Sequence, residues 1–387
     1  MTTESRQPLR LPIVVFTTIL TFSALYAPQP LLPLLGRALG IDLPAASLLM
    51  SVVFVPLSIA PLAYGLLLGR ISPRRMLLLA VPLLALAQLP FGFSSGYSLL
   101  LATRFFQGLL IPAILTSLMT FCAQSGGELQ RAMSIYIAST ITGGFAGRAV
   151  AGALASWFGW HAPFLLLALS LLAAFVLLFF LPERGHLTLL RPDPRRLVVL
   201  LAAPQLRSYY LVVFCFFFVF AAMMNFLPFR LKALDSNASE LRIGLVYSGY
   251  LCGVATALGS AAICRRLGGA LAAMRVGLAI YLVALIGFLT GVTPLLFALM
   301  FLFCGAMFLV HSTCSSHLNQ IGGEDKGMIN GLYVASYYLG GMLGSFLPGL
   351  VYRHLGWSAF VFGLALMLGF ALLLISRKEL GATEVSP

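Results

Sequence analysis

The side chains that could do chemistry inside the apolar part of this chain are few. Arg148 lies in "TGGFAGRAVAG" (142–152), and Arg104 begins "RFFQG" (104–108). A guanidinium at the centre of a membrane-spanning helix costs about 2.5 to 3.5 kcal/mol on insertion scales, so it is kept only where it contacts protein, a cavity or a ligand. Both arginines, with Gln107 on the same motif, are therefore candidates for a substrate pathway.

Arg148 is surrounded by glycines on its helix. Gly143 and Gly147 are one turn apart and allow another backbone to approach closely, and Gly144, Arg148 and Gly152 form the adjacent stripe. Arg148 lies about 12 Å inside its span at 1.5 Å per residue, too deep for easy snorkelling to the headgroups. It is either a clamp that binds exposed carbonyls or a ligand for an anionic group of a substrate, and we expect the ligand or cavity-gate role.

Arg104 lies about 10 Å inside its span from the same side. One interpretation places it beside Arg148, where the two guanidiniums could share one anion. The other makes it a fixed hydrogen-bond hub for helix carbonyls. The sequence leaves both open.

Span interiors contain no carboxylate, because all 11 Asp and Glu residues fall in loops, span edges or tails. Moving a proton through a membrane usually requires a titratable group within it. His311 is the candidate for proton coupling, since histidine has an unperturbed pKa of about 6.5. The alternative is a structural histidine whose nitrogens are hydrogen-bonded within the protein.

Two amides lie beside prolines in spans 1 and 7. Gln29 stands between Pro28 and Pro30, and Asn225 precedes Pro228 by three residues. Proline removes a backbone donor and frees a carbonyl, which a membrane tolerates only where protein or water satisfies it. Gln29 and Asn225 are therefore further substrate-pathway candidates.

The composition predicts that these residues are positioned by membrane-spanning helices. Of 387 residues, 60% are hydrophobic and 9% are charged, and the mean hydropathy is +1.00. Apolar runs of about 20 residues, each able to cross roughly 30 Å of hydrocarbon, follow one another. The sequence predicts an all-α membrane protein with twelve spans near 11–35, 46–68, 76–93, 97–120, 132–156, 161–181, 207–229, 242–263, 271–290, 294–317, 328–350 and 358–376.

The net charge of +13 follows the membrane topology. If both termini lie on one side, the loops of that side carry 17 of the 24 Lys and Arg residues and those of the other side carry five. The positive-inside rule then places both termini in the cytoplasm and argues against a nucleic-acid partner. The six cysteines are scattered without metal or disulfide spacing, so we expect no metal and no cofactor.

The two halves of the chain repeat at an offset of 195 to 197 residues. Tyr136 corresponds to Tyr333, Gly143 and Gly147 correspond to Gly340 and Gly344, and a polar segment separates the halves. This predicts an N-terminal six-helix bundle at 1–181, a cytoplasmic linker at 182–206 and a C-terminal bundle at 207–387, with a substrate site between parallel repeats. The two tyrosines either line the path or pack with their hydroxyls satisfied.

With these halves and loops, the chain resembles the major facilitator superfamily over nearly its whole length. "GLLLGRISPRR" (65–75) is similar to that superfamily's gate motif at Gly65, Arg70, Arg74 and Arg75, although Gly69 replaces the usual aspartate. The alternative for these arginines is topology anchoring alone.

Two further motifs carry the resemblance. "RFFQG" is similar to the fourth-span motif of proton-driven members at Arg104, Gln107 and Gly108. "GGFAGRAVAG" resembles the fifth-span antiporter motif at Gly143, Gly147 and Gly152, with Arg148 in place of proline. "LYAPQPLLPLL", "GGxxGR" and the run in 311–340 resemble the YnfM-like group of bacterial permeases.

The resemblance implies a secondary transporter that exports small amphipathic compounds across the bacterial inner membrane by alternating access, with exchange for protons as the expected coupling. Its expected partners are a small-molecule substrate, protons and the lipid bilayer, and we expect a monomer. Two alternatives remain. One is a transporter of small organic anions without proton coupling. The other is a membrane-embedded enzyme, which would need a nucleophile–base pair or a metal cluster at membrane depth.

The charge distribution makes a prediction about topology. A cysteine introduced as Arg195→Cys should resist an impermeant thiol reagent in intact cells and react after permeabilisation, because the linker is cytoplasmic. A cysteine introduced as Arg353→Cys, in a loop of the opposite side, is the matched control and should react in intact cells. Labelling of the first variant from outside would reverse the topology.

Overall fold

The computed structural model describes residues 7–67, 71–123, 129–182 and 194–383. These residues form α-helices and three short 3-10 helices, and no strand occurs among them. Arg70 of the gate motif and residues 183–193 of the linker lie outside the described residues. The all-α architecture predicted from hydropathy is confirmed.

Twelve helical spans can be counted in this part of the chain. Four of them are two shorter apolar helices, Leu43–Ile59 and Ala162–Leu178, and two glycine-rich helices, Leu129–Phe158 and Lys326–Gly344. The remaining eight are long and apolar enough to cross a membrane by length and composition, at Arg10–Leu39, Pro73–Phe93, Tyr97–Cys122, Pro204–Leu234, Glu240–Leu267, Ala270–Gly287, Thr293–Ile321 and Leu347–Arg377.

The chain divides into two compact units. The first comprises Met1–Arg191 together with Ser239–Leu245, so that a short stretch from the second half of the sequence belongs to it. Its helices are α1 (Gln7–Tyr26), α2 (Leu32–Leu39), α3 (Leu43–Leu67), α4 (Pro73–Leu86), α5 (Leu89–Phe93), α6 (Tyr97–Ala123), α7 (Leu129–Phe158) and α8 (Ala162–Leu178), with most of α11 (Glu240–Val246) and the 3-10 helix Gln29–Leu31.

The second unit comprises Pro192–Ala238 and Val246–Pro387. Its helices are α9 (Pro194–Ala202), α10 (Pro204–Leu234), α12 (Tyr250–Leu267), α13 (Ala270–Gly287), α14 (Thr293–Ile321), α15 (Lys326–Gly344) and α16 (Leu347–Thr383), with 3-10 helices at Tyr247–Gly249 and Gly323–Asp325.

The internal packing of the two units follows one plan. In the first unit, α1 packs on α7, α3 packs on α6, and α4 packs on both α6 and α8. In the second unit, the corresponding pairs are α10 with α15, α12 with α14, and α13 with α14 and α16. The sequence repeat therefore has a structural counterpart in the helix pairs of each unit.

Glycines make the closest of these helix pairs possible. A Cβ built on Gly147 would lie 2.4 Å from the Cα of Ser23, and one built on Gly344 would lie 2.2 Å from the carbonyl oxygen of Phe218. Neither position has room for a methyl group, because the obstacle is backbone. The α1–α7 and α10–α15 contacts are thus backbone against backbone.

Gly159 and Gly356 also correspond in the repeat, and both have a φ of +82°. An L-residue with a side chain is strained at this angle. Gly159 follows the last residue of α7 and Gly356 kinks α16, so each glycine redirects the chain just before Trp160 or Trp357. The repeat is therefore preserved in backbone conformation as well as in packing.

Some predicted spans are interrupted. Span 1 breaks between Tyr26 and Gln29, because Pro28 and Pro30 cannot donate to the helix ladder. The eighth span passes through the 3-10 helix Tyr247–Gly249, and the eleventh ends at Gly344 instead of continuing to 350. The linker contains α9, which the sequence interpretation did not anticipate.

The glycine seams predict opposite effects for one substitution at two positions. Gly147→Ala should lower the thermal unfolding temperature of the purified protein, because its methyl group must push α1 away. Gly363→Ala should leave that temperature unchanged or raise it, because no atom lies within 4 Å of its Cβ position and alanine favours a helix by up to about 1 kcal/mol. Equal unfolding temperatures for the two variants would show that α1 does not pack closely against Gly147.

Candidate functional site

Arg104 is fully buried and its donors meet protein acceptors from several helices. Its contacts are Nε to the Leu49 oxygen at 2.8 Å, Nη1 to the Ala24 oxygen at 3.1 Å and to Gln107 Oε1 at 2.6 Å, and Nη2 to the Leu25 oxygen at 2.7 Å and the Met50 sulfur at 3.7 Å. This is the geometry of the hub interpretation.

The hub has a local cause in the broken first span. Pro28 has no N–H, so the Ala24 carbonyl loses the donor it would have four residues later. Arg104 supplies that donor from α6. Gln107 acts similarly on span 3, where its Nε2 donates to the Ala87 oxygen at 2.7 Å, while the Phe91 N–H bonds the Gln88 oxygen instead. The arginine and glutamine of "RFFQG" thus satisfy two interrupted helices.

Arg148 lies on the other side of the same break and is 1% exposed. Its Nε donates to Gln29 Oε1 at 2.6 Å and its Nη1 to the Gly144 oxygen at 2.5 Å. The guanidinium carbon lies 4.0 Å from the centroid of the Tyr26 ring, a cation–π contact. These contacts match the clamp interpretation, and a role of Arg148 as a substrate ligand stays a prediction.

The structure brings Tyr26, Gln29, Arg104 and Arg148 to one place in the first unit. Tyr26 was missed by sequence reasoning. Its position three residues before Gln29, on the same side of a helix, was the available signal. The partner that completes the contact, Arg148, could not be inferred from spacing because it lies on another helix.

In the second unit, Asn225 occupies a different setting. Helix α10 continues through Pro228, and the hydroxyl of Tyr247 donates to the Met224 carbonyl that this proline frees, at 2.7 Å. Asn225 is buried and its Nδ2 donates to the Ser345 oxygen at 3.4 Å. Tyr247 was also missed, since nothing in its sequence context marks it as a cap for α10.

The repeat-related tyrosines make the same kind of contact. The Tyr136 hydroxyl donates to the Leu115 carbonyl at 3.1 Å, and the Tyr333 hydroxyl donates to the His311 carbonyl at 3.1 Å. Each therefore ties its helix to the span that precedes it. Tyr136 and Tyr333 are both buried, as in the packing interpretation.

His311 makes a second contact with Tyr333 through its ring, where Nδ1 lies 2.7 Å from the Tyr333 oxygen. The Tyr333 hydroxyl has one proton and two acceptors within reach, Nδ1 and the His311 carbonyl, so the direction of the Nδ1 bond depends on the tautomer of His311. The described residues provide no hydrogen bond to Nε2, and the side chain is partly exposed.

Aromatic rings surround this imidazole on three helices. The ring centroid of His311 lies 6.1 Å from Phe216, 6.3 Å from Phe308, 5.6 Å from Tyr333 and 5.1 Å from Tyr337. The contacts with Phe216 and Phe308 are edge-on and those with Tyr333 and Tyr337 are tilted, so the imidazole is packed within an aromatic cluster of the second unit.

The gate-motif residues that the structure describes form helix-end contacts in the first unit. Gly65 lies in the last turn of α3, and Arg74 Nη2 donates to the Phe179 oxygen at the end of α8, at 3.0 Å. The Arg75 N–H bonds the Ser72 hydroxyl, which caps α4. Lying near the C-terminus of α8, the positive charge of Arg74 also meets the negative end of its dipole.

Gly152 packs against α11. A Cβ on Gly152 would lie 2.4 Å from the Glu240 oxygen and 3.2 Å from the Gly244 Cα. Glu240 is also 3.6 Å from Arg37 of α2 in an ion pair. The three glycines of the antiporter-like motif therefore serve two seams, Gly143 and Gly147 toward α1 and Gly152 toward α11.

Comparison with known proteins gives a consistent result. The sequence profile of the Major Facilitator Superfamily matches residues 14–320. The inner membrane transport protein YnfM of Escherichia coli K12 is 26% identical over 379 residues, which is 96% of this chain and 91% of that protein. The 4-hydroxybenzoate transporter PcaK of Pseudomonas aeruginosa is 32% identical over 164 residues, 41% of this chain and 36% of that protein.

A crystal structure of the nucleoside transporter NupG has the same fold. The TM-score is 0.79 at 12% sequence identity, covering 95% of this chain and 98% of that one. All of these proteins are transporters, so the alternative of a membrane-embedded enzyme is set aside. Among the described residues no group of three or more His, Cys, Asp or Glu could hold a metal ion.

The Arg104 hub predicts a stability effect that does not depend on substrate. Arg104→Lys keeps the charge, but one ammonium cannot reach the carbonyls of α1 and α3 together. We expect a lower unfolding temperature in detergent and a smaller yield of monodisperse protein. Arg353→Lys, at an exposed position, is the matched control and should behave as the parent. An unchanged unfolding temperature for Arg104→Lys would show that the hydrogen bonds of Arg104 do not stabilise the fold.

Proposed function

This chain belongs to the major facilitator superfamily and is a transporter of small molecules, and we propose that it performs proton-coupled efflux across the bacterial inner membrane. In this proposal two six-helix bundles, 1–181 and 207–387, alternate access to a substrate, with the linker and both termini in the cytoplasm and one chain as the working unit. The similarity to the inner membrane protein YnfM supports this location.

The observation that carries proton coupling is the environment of His311. The Tyr333 hydroxyl contacts Nδ1, and in this proposal Nδ1–H donates to it and Nε2 accepts the transported proton. The titratable groups nearest to this imidazole are the Tyr333 and Tyr337 hydroxyls and, on its own helix, the Cys314 thiol. None of them is a base stronger than imidazole at neutral pH, so we propose His311 as the group that carries a proton in this part of the second unit.

The other residues divide between scaffold and path in this proposal. Arg104, Gln107, Tyr136 and the described gate arginines hold helices in place through carbonyl contacts. Arg148 and Gln29 hold the break of span 1 and adjoin the path. Asn225 and Tyr333 take the corresponding places in the second unit. The glycines Gly143, Gly147 and Gly152 allow the close helix contacts.

A second candidate function is the transport of small organic anions without proton coupling. The first unit buries two guanidiniums whose described hydrogen-bond acceptors are neutral. A positive charge buried in a low dielectric attracts an anion strongly. The similarity of part of the chain to a 4-hydroxybenzoate transporter supports an aromatic carboxylate as the first anion to test.

Proteoliposomes with an imposed pH gradient separate the two candidates. Ethidium serves as the amphipathic probe and 4-hydroxybenzoate as the anionic probe. Coupled efflux predicts that gradient-driven ethidium movement is lost in His311→Gln while counterflow exchange continues. The anion function predicts 4-hydroxybenzoate movement that is independent of the gradient and weakened in Arg148→Ala, provided that this variant keeps the parent's unfolding temperature.

Tyr333→Phe and Tyr136→Phe are a matched pair of variants that tests the role of His311. Tyr333→Phe removes the hydroxyl that fixes the imidazole, so it should shift the pH dependence of ethidium transport. Tyr136→Phe removes an equivalent carbonyl bond that has no titratable partner, and its pH dependence should equal that of the parent. Identical pH profiles for the parent and His311→Gln would exclude His311 as the proton carrier.

A further inference from the structure

Helix α9 is joined directly to the start of a predicted membrane span. It ends at Ala202, and the span α10 begins at Pro204, so one residue separates them. The nine residues of α9 measure about 13 Å along the axis at 1.5 Å per residue. The far end of α9 therefore lies within about 13 Å of its junction with α10, on the side of the chain that is rich in Lys and Arg.

One face of α9 is docked on the second unit. Leu200 is buried, and Arg196 forms a two-pronged salt bridge with Asp325, with Nη2 at 2.5 Å and Nε at 3.1 Å from Oδ2. The guanidinium lowers the pKa of the Asp325 carboxyl below its usual value of 3.8, so the pair is ionised at neutral pH. This bond fixes the rotation of α9 about its axis.

The opposite face is apolar and uncovered. Val198 is 66% exposed, Val199 is 56% exposed and Leu201 is 49% exposed. Arg195, in the first turn of the helix, is exposed among them, and Arg207 is exposed at the start of α10. A helix with apolar side chains on one face and arginines at its edge is typical of segments that lie in the plane of a membrane surface.

We propose that the Val198–Val199–Leu201 face of α9 inserts into the cytoplasmic headgroup layer and that Arg195 and Arg207 bind anionic phospholipid there. The apolar side chains would enter the acyl boundary by about 5 to 10 Å. Arginine binds phosphate oxygens through paired N–H donors, and its aliphatic stem lies along the apolar layer. Arg196, already paired with Asp325, orients the face and takes no part in lipid binding.

The test measures the depth of α9 in full-length protein reconstituted into vesicles. Nitroxide labels are placed separately at Val198→Cys and Val199→Cys, with Val283→Cys on the exposed face of α13 as the lipid reference and Asn237→Cys as the water reference. Collisions with oxygen report lipid exposure and collisions with a nickel chelate report water. Cys252 and Cys264, which are partly exposed, are replaced by serine in every sample, and the other four cysteines are buried.

In vesicles containing phosphatidylglycerol, both labels should resemble the lipid reference. Replacing this lipid by phosphatidylcholine should raise nickel accessibility, because the equilibrium constant for insertion of α9 falls by about fivefold for each basic side chain that contributes. Arg195→Gln should reduce this dependence on phosphatidylglycerol, whereas Arg195→Lys should keep it. High salt should also reduce it, because it screens the charges.

Two results would overturn the proposal. High nickel accessibility of both labels in phosphatidylglycerol vesicles would place α9 in water. Low accessibility to both reagents would show that protein covers this face. The proposal does not depend on transport, so loss of activity in any variant leaves the depth measurement interpretable.

Discussion

The need to satisfy backbone carbonyls inside a bilayer governs the arrangement of polar side chains in this protein. Hydrocarbon offers no hydrogen-bond donor, so a carbonyl freed by proline must find one within the chain. Arg104 does this for Ala24 in span 1, and Tyr247 does it for Met224 in span 7. A guanidinium whose charge is unfavourable in a bilayer is thus kept because it provides five hydrogen-bond donors at one point.

The two units solve the same packing problem with different chemistry. Both pair their first and fifth helices through glycines against backbone. The first unit then adds positive charge around a broken helix, with Arg148 over Tyr26. The second adds aromatic rings and the imidazoles of His311 and His317 around an unbroken helix. A divergence of this kind after duplication leaves the scaffold symmetric and makes its interior asymmetric, which is a requirement for one unit to bind what the other does not.

Hydropathy and repetition were sufficient to predict the architecture, because each depends on composition over many residues. The glycine positions were predicted for the same reason, since spacing on one helix is visible in sequence. The contacts of Arg104 were not decided, because a guanidinium beside a carbonyl and one beside a substrate look alike in sequence. Tyr26, Tyr247 and the Arg196–Asp325 pair depend on which helices become neighbours and at what height, and no local pattern contains that information.

The backbone-to-backbone seams have a mechanical consequence. Where Gly147 lies on Ser23 and Gly344 lies on Phe218, the glycine has no side chain that could change its rotamer and absorb a displacement. Each seam therefore behaves as a stiff joint, and α1 with α7, or α10 with α15, should travel as a single body. Any deformation within a unit has to be taken up elsewhere, at interruptions such as Tyr26–Gln29 and Ser345–Phe346, where the ladder is already open. The stiffness of the glycine seams thereby determines where each unit can bend.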